Sequence, residues 1–384
     1  MTTYTKSDYH ENDWKCAGKT IINQLSKNPG GFISRISIAR YLIFLAVIAS
    51  VVPAYFLLRS CSQKLRTNPS IFKYRDKAER DSLQISKVRF QTQWLHQSQF
   101  AGFYIANEKG FYRDYGLEVE ISMGGPENPS ANALSEEKAD FVTMFLTTAL
   151  REIDAGNQII NVGQISQKSS LLLVALKSSG IENLKDLNGK RVGLWKNDFK
   201  EPSLILLNKN KINAEIVPIS WTTNVLSEKV VDVMNMMDYN EYDIFINSGH
   251  APDELTVFAA ADYGVNIPED GIYCRKDFYL QNPQLCQNFA EATMDGWIYA
   301  MNHEEEALAI VLRYLREAHL PANIPHQRWM LKKFKEAAMN KPEQFGTLSE
   351  QDYINSVKMM KENGVIKTSL PYQDFTGTKD AGQH

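Results

Sequence analysis

Apolar and polar positions follow two rhythms along this chain, and each change of rhythm marks a new element. Val88, Phe90 and Thr92 alternate with polar neighbours as a half-buried strand does, and Trp94 ends the run. A short polar stretch, Leu95 to Ser98, follows. Phe100, Phe103, Tyr104 and Ala106 then keep helical spacing as far as Gly110, a C-cap residue. Leu117, Val119 and Ile121 alternate with Glu118 and Glu120 as a second strand. Strand, helix and strand in this order predict a right-handed βαβ crossover. Its first loop, carrying Trp94, His96, Gln97 and Gln99, is thereby placed at the carboxyl edge of a sheet, where α/β proteins bind ligands.

The same logic predicts a helix over 132–138, a buried strand over 139–145, and a helix that opens at Thr147 and Thr148, whose hydroxyls either cap it or face a ligand. Strands follow over 159–167 and 171–176, the latter an apolar run suited to a sheet covered on both faces. After a turn at Gly189, Arg191 to Trp195 starts a new sheet, continued by a helix over 201–209, a strand over 214–219, a helix over 225–230 and a strand over 231–237. That last strand runs into the polar cluster Asp238-Tyr239-Asn240-Glu241-Tyr242. Segments 255–258 and 272–275 read as returning strands, and helices from Pro283 onward wrap the first lobe. The expected boundaries are 87–182 and 276–375 for the first lobe and 183–275 for the second, with a polar tail over 376–384.

Ahead of this α/β part the pattern is different. Residues 1–40 are polar, and Tyr41 to Leu58 carries no charge over 18 positions. At a helical rise such a run spans about 27 Å, enough for a bilayer core when Arg40 and Arg59 reach the interfaces. It reads as a transmembrane helix or signal anchor, kinked at Pro53, with a solvated linker over 59–86. Leu58-Arg59-Ser60-Cys61 resembles a lipoprotein cleavage box with Cys61 as the acylated residue. Arg59 departs from that pattern, and an uncleaved anchor is the preferred fate. Both fates tether the protein to a membrane.

Composition narrows the classes. A chain of 384 residues, 43% hydrophobic and 23% charged, can bury a sizeable core. Its formal charge of −3 gives no footprint for nucleic acid. Four cysteines without a C-x-x-C pair argue against a zinc or redox motif, while Cys274 and Cys286 are either a disulfide or two buried thiols. No G-x-S-x-G, Walker loop, H-E-x-x-H or G-x-G-x-x-G occurs, and the seven histidines are scattered.

One stretch is specific. The pattern W-x-x-x-x-Q-F-A-G-F-Y-x-A-x-x-K-G-F-Y-x-x-x-G-L-x-V, starting at Trp94, resembles the opening of periplasmic solute-binding proteins related to thiamine pyrimidine-precursor binders and to the fungal thiamine pyrimidine synthase. The resemblance implies a bilobal type II periplasmic-binding-protein fold, two α/β lobes around a ligand cleft, here preceded by the single transmembrane helix. It further implies a substrate-binding protein of an ABC transporter, held at the bacterial inner membrane by a single pass, with its binding domain in the periplasm or outside the cell. Its partners would be an aminopyrimidine, a permease and an ATPase.

In such a site Glu241 would accept hydrogen bonds from the ligand's amine and protonated ring nitrogen, and Trp94 and Tyr239 would stack on the ring. Gln93, Asn240 and His96 would orient it, with Thr147 and Thr148 beside it. The synthase uses a lysine-bound pyridoxal phosphate and a histidine of its own chain. Aligned through Lys138, Asp140 and Gly156, these positions are Met144 and Thr148, and its cysteine-rich motif is missing. The expectation is therefore binding without catalysis and without a cofactor. A binder of another small solute (sulfonate, nitrate, aromatic acid) and a tethered ligand sensor stay open, and a synthase-like enzyme is the weakest of the alternatives.

Overall fold

The computed structural model describes residues 84–196, 199–220 and 222–378. The N-terminal tail, the apolar stretch 41–58, the linker up to residue 83 with Cys61, and residues 379–384 lie outside the described residues. Among the described residues no helix is long and apolar enough to cross a membrane.

The strands in chain order are β1 (Ser86–Gln91), β2 (Leu117–Ser122), β3 (Phe141–Phe145), β4 (Ile159–Gln164), β5 (Leu171–Leu176), β6 (Arg191–Trp195), β7 (Glu215–Ile219), β8 (Val233–Met237), β9 (Leu255–Ala259) and β10 (Asp270–Arg275). They form two five-stranded sheets, ordered β2-β1-β3-β10-β4 and β7-β6-β8-β5-β9. Each sheet has a parallel trio, with β1 between β2 and β3 and β6 between β7 and β8. The strand that enters from the other sheet, β10 in the first and β5 in the second, runs antiparallel to its neighbours.

This topology corrects the expected lobe boundaries. β5 belongs to the second sheet, pairing Leu171 with Met237, and β10 to the first, pairing Asp270 with Phe145. The chain thus changes lobe at 165–170 and returns at 260–269. Both strands are buried along nearly their whole length, so their composition carries no sign of which sheet they join, and their hydrogen-bond partners lie far along the chain. The two crossings lie side by side. Glu269 Oε1 accepts from Ser169 Oγ at 2.9 Å and from the Ser170 N–H at 2.7 Å, and the Ser169 N–H donates to Asn266 Oδ1 at 2.9 Å.

The helices that bear on the site are α1 (Ala101–Glu108), α2 (Leu146–Asp154), α3 (Glu201–Lys209), α4 (Glu241–Asn247), α5 (Pro283–Asn302), α6 (Glu304–Glu317) and α7 (Ile324–Ala338). The Q-F-A-G-F-Y run packs α1 onto α5 with almost no clearance. A Cβ on Gly102 would sit 2.2 Å from the Trp297 ring, and one on Gly296 only 2.1 Å from the Gly102 carbonyl oxygen. Glycines at both points let the backbones approach, and rings then fill the flanks: Phe90 stacks on Phe103 at 4.3 Å and Phe141 on Phe289 at 4.1 Å. Cys274 and Cys286 are buried free thiols with sulfurs 3.9 Å apart, and burial raises the Cys274 thiol's pKa.

Candidate functional site

The carboxyl ends of the parallel trios face one cavity of about 320 Å³. From the first sheet the loop after β1 brings Gln93, Trp94, Gln97 and Gln99, while the end of β3 and the start of α2 bring Met144, Phe145, Thr148 and Arg151. From the second sheet come Trp195 and Lys196 after β6, Ile219 and Ser220 after β7, and Tyr239, Asn240 and Glu241 after β8. These residues lie at or just beyond the carboxyl ends of their strands, the edge at which α/β sheets bind ligands. The lobes also touch directly: Phe145 lies 4.1 Å from Phe199, and Arg151 pairs with Glu201 of α3 at 3.2 Å.

Glu241 opens α4 and is buried at 6% exposure. Its Oε2 accepts the Met237 N–H at 3.0 Å and its Oε1 accepts from Asn240 Nδ2 at 2.9 Å. Burial pushes this carboxyl up to about 7, against the pull of those donors toward lower values. Tyr239 is buried beside it, edge-on to Phe334, and burial raises its phenol well above the ordinary range.

Behind the opposite wall a buried carboxylate that the sequence did not single out organises the amides. Asp270, at the start of β10, accepts from Gln93 Nε2 at 2.9 Å and from Gln99 Nε2 at 2.6 Å, and Gln97 Nε2 donates to Gln99 Oε1 at 2.6 Å. A carboxylate only accepts, so each of these amides is turned with its nitrogen toward Asp270 or toward the neighbour that faces it. Asp270 Oδ2 and Gln93 Oε1 have no partner among the described residues, and burial pushes Asp270 up to about 7.

Six of the eight expected ligand contacts line the cavity: Gln93, Trp94, Thr148, Tyr239, Asn240 and Glu241. Two do not. His96 turns away, its Nδ1 2.8 Å from the Tyr104 hydroxyl and its ring edge-on to Tyr104 and Tyr314, and burial lowers it to about 4. Thr147 is fully buried behind the wall. Neither threonine caps α2, because the N-cap is Phe145 and no side chain bonds there. Sequence reasoning placed Gln97 and Gln99 on the right loop without assigning them a role. Asp270 and His326 carried no local signal, since their partners are 83 to 177 residues away.

The riboflavin-binding protein RibY of Chloroflexus aurantiacus is 22% identical over 86% of this chain and 95% of its own length. A formylaminopyrimidine-binding protein of Halalkalibacterium halodurans is 20% identical over 63% of this chain and 74% of its own. A 4-amino-5-hydroxymethyl-2-methylpyrimidine phosphate synthase of Legionella pneumophila is 24% identical over 62% and 76%. The periplasmic aliphatic sulphonate binding protein SsuA of Escherichia coli superposes with a TM-score of 0.57 at 14% identity, covering 76% of this chain and 99% of its own, which shows a periplasmic-binding-protein-like fold. The NMT1/THI5-like family profile matches residues 97–307, more than half of the chain, and the chain belongs to that family.

Proposed function

We propose that this protein captures a small aminopyrimidine of the thiamine-precursor type and presents it, as a membrane-tethered extracytoplasmic binding protein, to an ABC permease and its ATPase. The observation that carries the reading is Glu241: a buried carboxylate at a strand end, in the lining of a cavity between two sheets and next to Tyr239, with Trp94 and Trp195 in the same lining. A flat ring with an exocyclic amine and a protonated ring nitrogen offers that carboxylate two donors and offers the aromatic side chains a face. At about 320 Å³ the cavity lies at the small end of ligand sites, roughly 300–1,000 Å³, which favours one ring over several. The formylaminopyrimidine-binding relative supports the ligand class, and the fold this chain shares with ligand-binding components of ABC-type import systems supports the partners.

Catalysis is not part of the reading. Met144 and Thr148 line the cavity at the positions aligned with the synthase's lysine and histidine, and neither a thioether nor a hydroxyl supplies an imine-forming amine or an imidazole. These residues do not fit pyridoxal phosphate chemistry. A second reading, capture of a sulfonate or similar anion, draws on Arg151 and Lys196 in the same lining, yet Glu152 and Glu241 there oppose it. Mass spectrometry of solute co-purified with the full-length protein separates them: an aminopyrimidine mass supports the proposal, and a sulfonate or flavin mass overturns it.

A further inference from the structure

α7 is the helix on which this inference rests. It is fixed to the first lobe, where the Ser98 N–H donates to Gln327 Oε1 at 2.7 Å, Arg328 pairs with Glu305 of α6, and Lys335 Nζ reaches the Met301 carbonyl of α5 at 2.8 Å. Its other face grips the turn between β8 and α4 in the second lobe. Trp329 Nε1 donates to the Asp238 carbonyl at 2.9 Å, Lys333 pairs with Asp238 at 3.1 Å, and Phe334 meets Tyr239 at 5.6 Å. At the centre of that grip His326 Nδ1 lies 2.7 Å from Asp243 Oδ2 and its Nε2 lies 3.1 Å from Asn240 Oδ1.

The chemistry of the partners gives this chain of contacts a direction. The Asn240 amide oxygen only accepts, so in this arrangement His326 Nε2 is the donor to it. With its oxygen held by His326, the Asn240 amide must turn its nitrogen to Glu241, where it donates to Oε1 at 2.9 Å. Asp243, Asn240 and Glu241 lie within one helical turn at the start of α4, and Asp243 is 4% exposed. We infer that His326 is a positioning residue for Glu241: through Asn240 it keeps the carboxylate an acceptor facing the cleft, and it does so only while α7 is docked on the second lobe. Without that donor the Asn240 amide is free to turn its oxygen toward Glu241. Two oxygens then face each other, and Glu241 rotates away or takes up a proton that it donates to Asn240, so the ligand amine loses the fully ionised acceptor it needs.

The inference rests on the aminopyrimidine reading, and a mutant cycle tells the two apart. The full-length protein, its His326→Phe and His326→Gln variants, and each of these combined with Glu241→Gln are titrated with 4-amino-5-hydroxymethyl-2-methylpyrimidine by calorimetry. His326→Phe is expected to weaken binding roughly fivefold to fiftyfold in the native background and by less than about twofold in the Glu241→Gln background, because residues acting through one another are not additive. His326→Gln, which retains one donor, falls between native and Phe, and it carries the cycle alone if the Phe variant does not fold. Equal losses in both backgrounds, or no loss in either, overturn the positioning role while leaving the ligand assignment intact. No binding by the native protein overturns both.

Discussion

Glu241 should set a measurable conflict between binding and folding. Burial raises its carboxyl from an ordinary 4.5 to about 7, so between those values the native state holds a proton that the unfolded chain has released. Stability from this residue is therefore greatest at low pH, declines as pH rises from about 4.5, and levels off above about 7. The full difference corresponds to about 3 kcal/mol, an upper value because the unfolded chain keeps some structure. Replacing the side chain with glutamine removes the ionisation. It also forces an amide nitrogen against either the Met237 N–H or Asn240 Nδ2, a donor-to-donor contact costing about 1–3 kcal/mol. The two terms oppose each other at alkaline pH, and only the clash remains at acid pH. Glu241→Gln is accordingly expected to be less stable than the native protein at pH 5 and to gain on it by up to about 3 kcal/mol by pH 8. Thermal unfolding followed by near-ultraviolet circular dichroism at half-unit pH steps measures the gap. Melting curves that stay parallel from pH 5 to pH 8 would refute the reasoning, since they would mean that the carboxylate is hydrated.

Other consequences are simpler to state. Gly102→Ala pushes a methyl group into the Trp297 ring and should cost about 1–3 kcal/mol or more, read as a lowered Tm, with Gly296→Ala behaving alike; an unchanged Tm would refute the close α1–α5 contact. Trp94→Ala should weaken aminopyrimidine binding about tenfold or more by removing a stacking face, whereas His96→Ala should lower Tm through the lost Tyr104 contacts and leave affinity within about twofold. The reverse order of effects on affinity would put His96 back in the site. Protease added to intact spheroplasts should degrade the part after Ser62 and spare an epitope at Met1 if residues 41–58 form an uncleaved anchor. Degradation of the epitope alone would contradict that topology, and loss of the tail on maturation would favour acylation at Cys61.

Much of the first lobe was legible because its signals are local. Val88 and Phe90 alternate within one strand, Gly110 ends one rhythm, a single βαβ unit fixes where the loop of Trp94 lies, and Thr148 opens the helix after a buried strand, so the places of these residues are readable from local pattern alone. The same held for Tyr239, Asn240 and Glu241, which follow an apolar strand directly. What stayed hidden depends on pairing at a distance. The apolar run at 171–176 looks alike whichever sheet takes it, and only its register with β8 and β9 assigns it to the second. His96 carries the chemistry of a ligand contact, but its fate was decided by Tyr104 and by Tyr314, the latter more than 200 residues away. Asp270 reads as an ordinary acid before a strand, and its role exists only because two glutamines from the β1 loop meet it in the fold.

We propose that Glu241 holds the amine edge of an aminopyrimidine inside the interlobe cavity. The most direct test is calorimetric titration of the full-length protein and its Glu241→Gln variant with 4-amino-5-hydroxymethyl-2-methylpyrimidine and its formylamino analogue, with an alkanesulfonate as the control. The native protein should bind a pyrimidine and ignore the sulfonate, and the variant should lose roughly tenfold to a hundredfold in affinity, the equivalent of one buried donor left unsatisfied. A native protein that ignores both pyrimidines and binds the sulfonate, or a variant that binds the pyrimidine as tightly as the native protein, would contradict it.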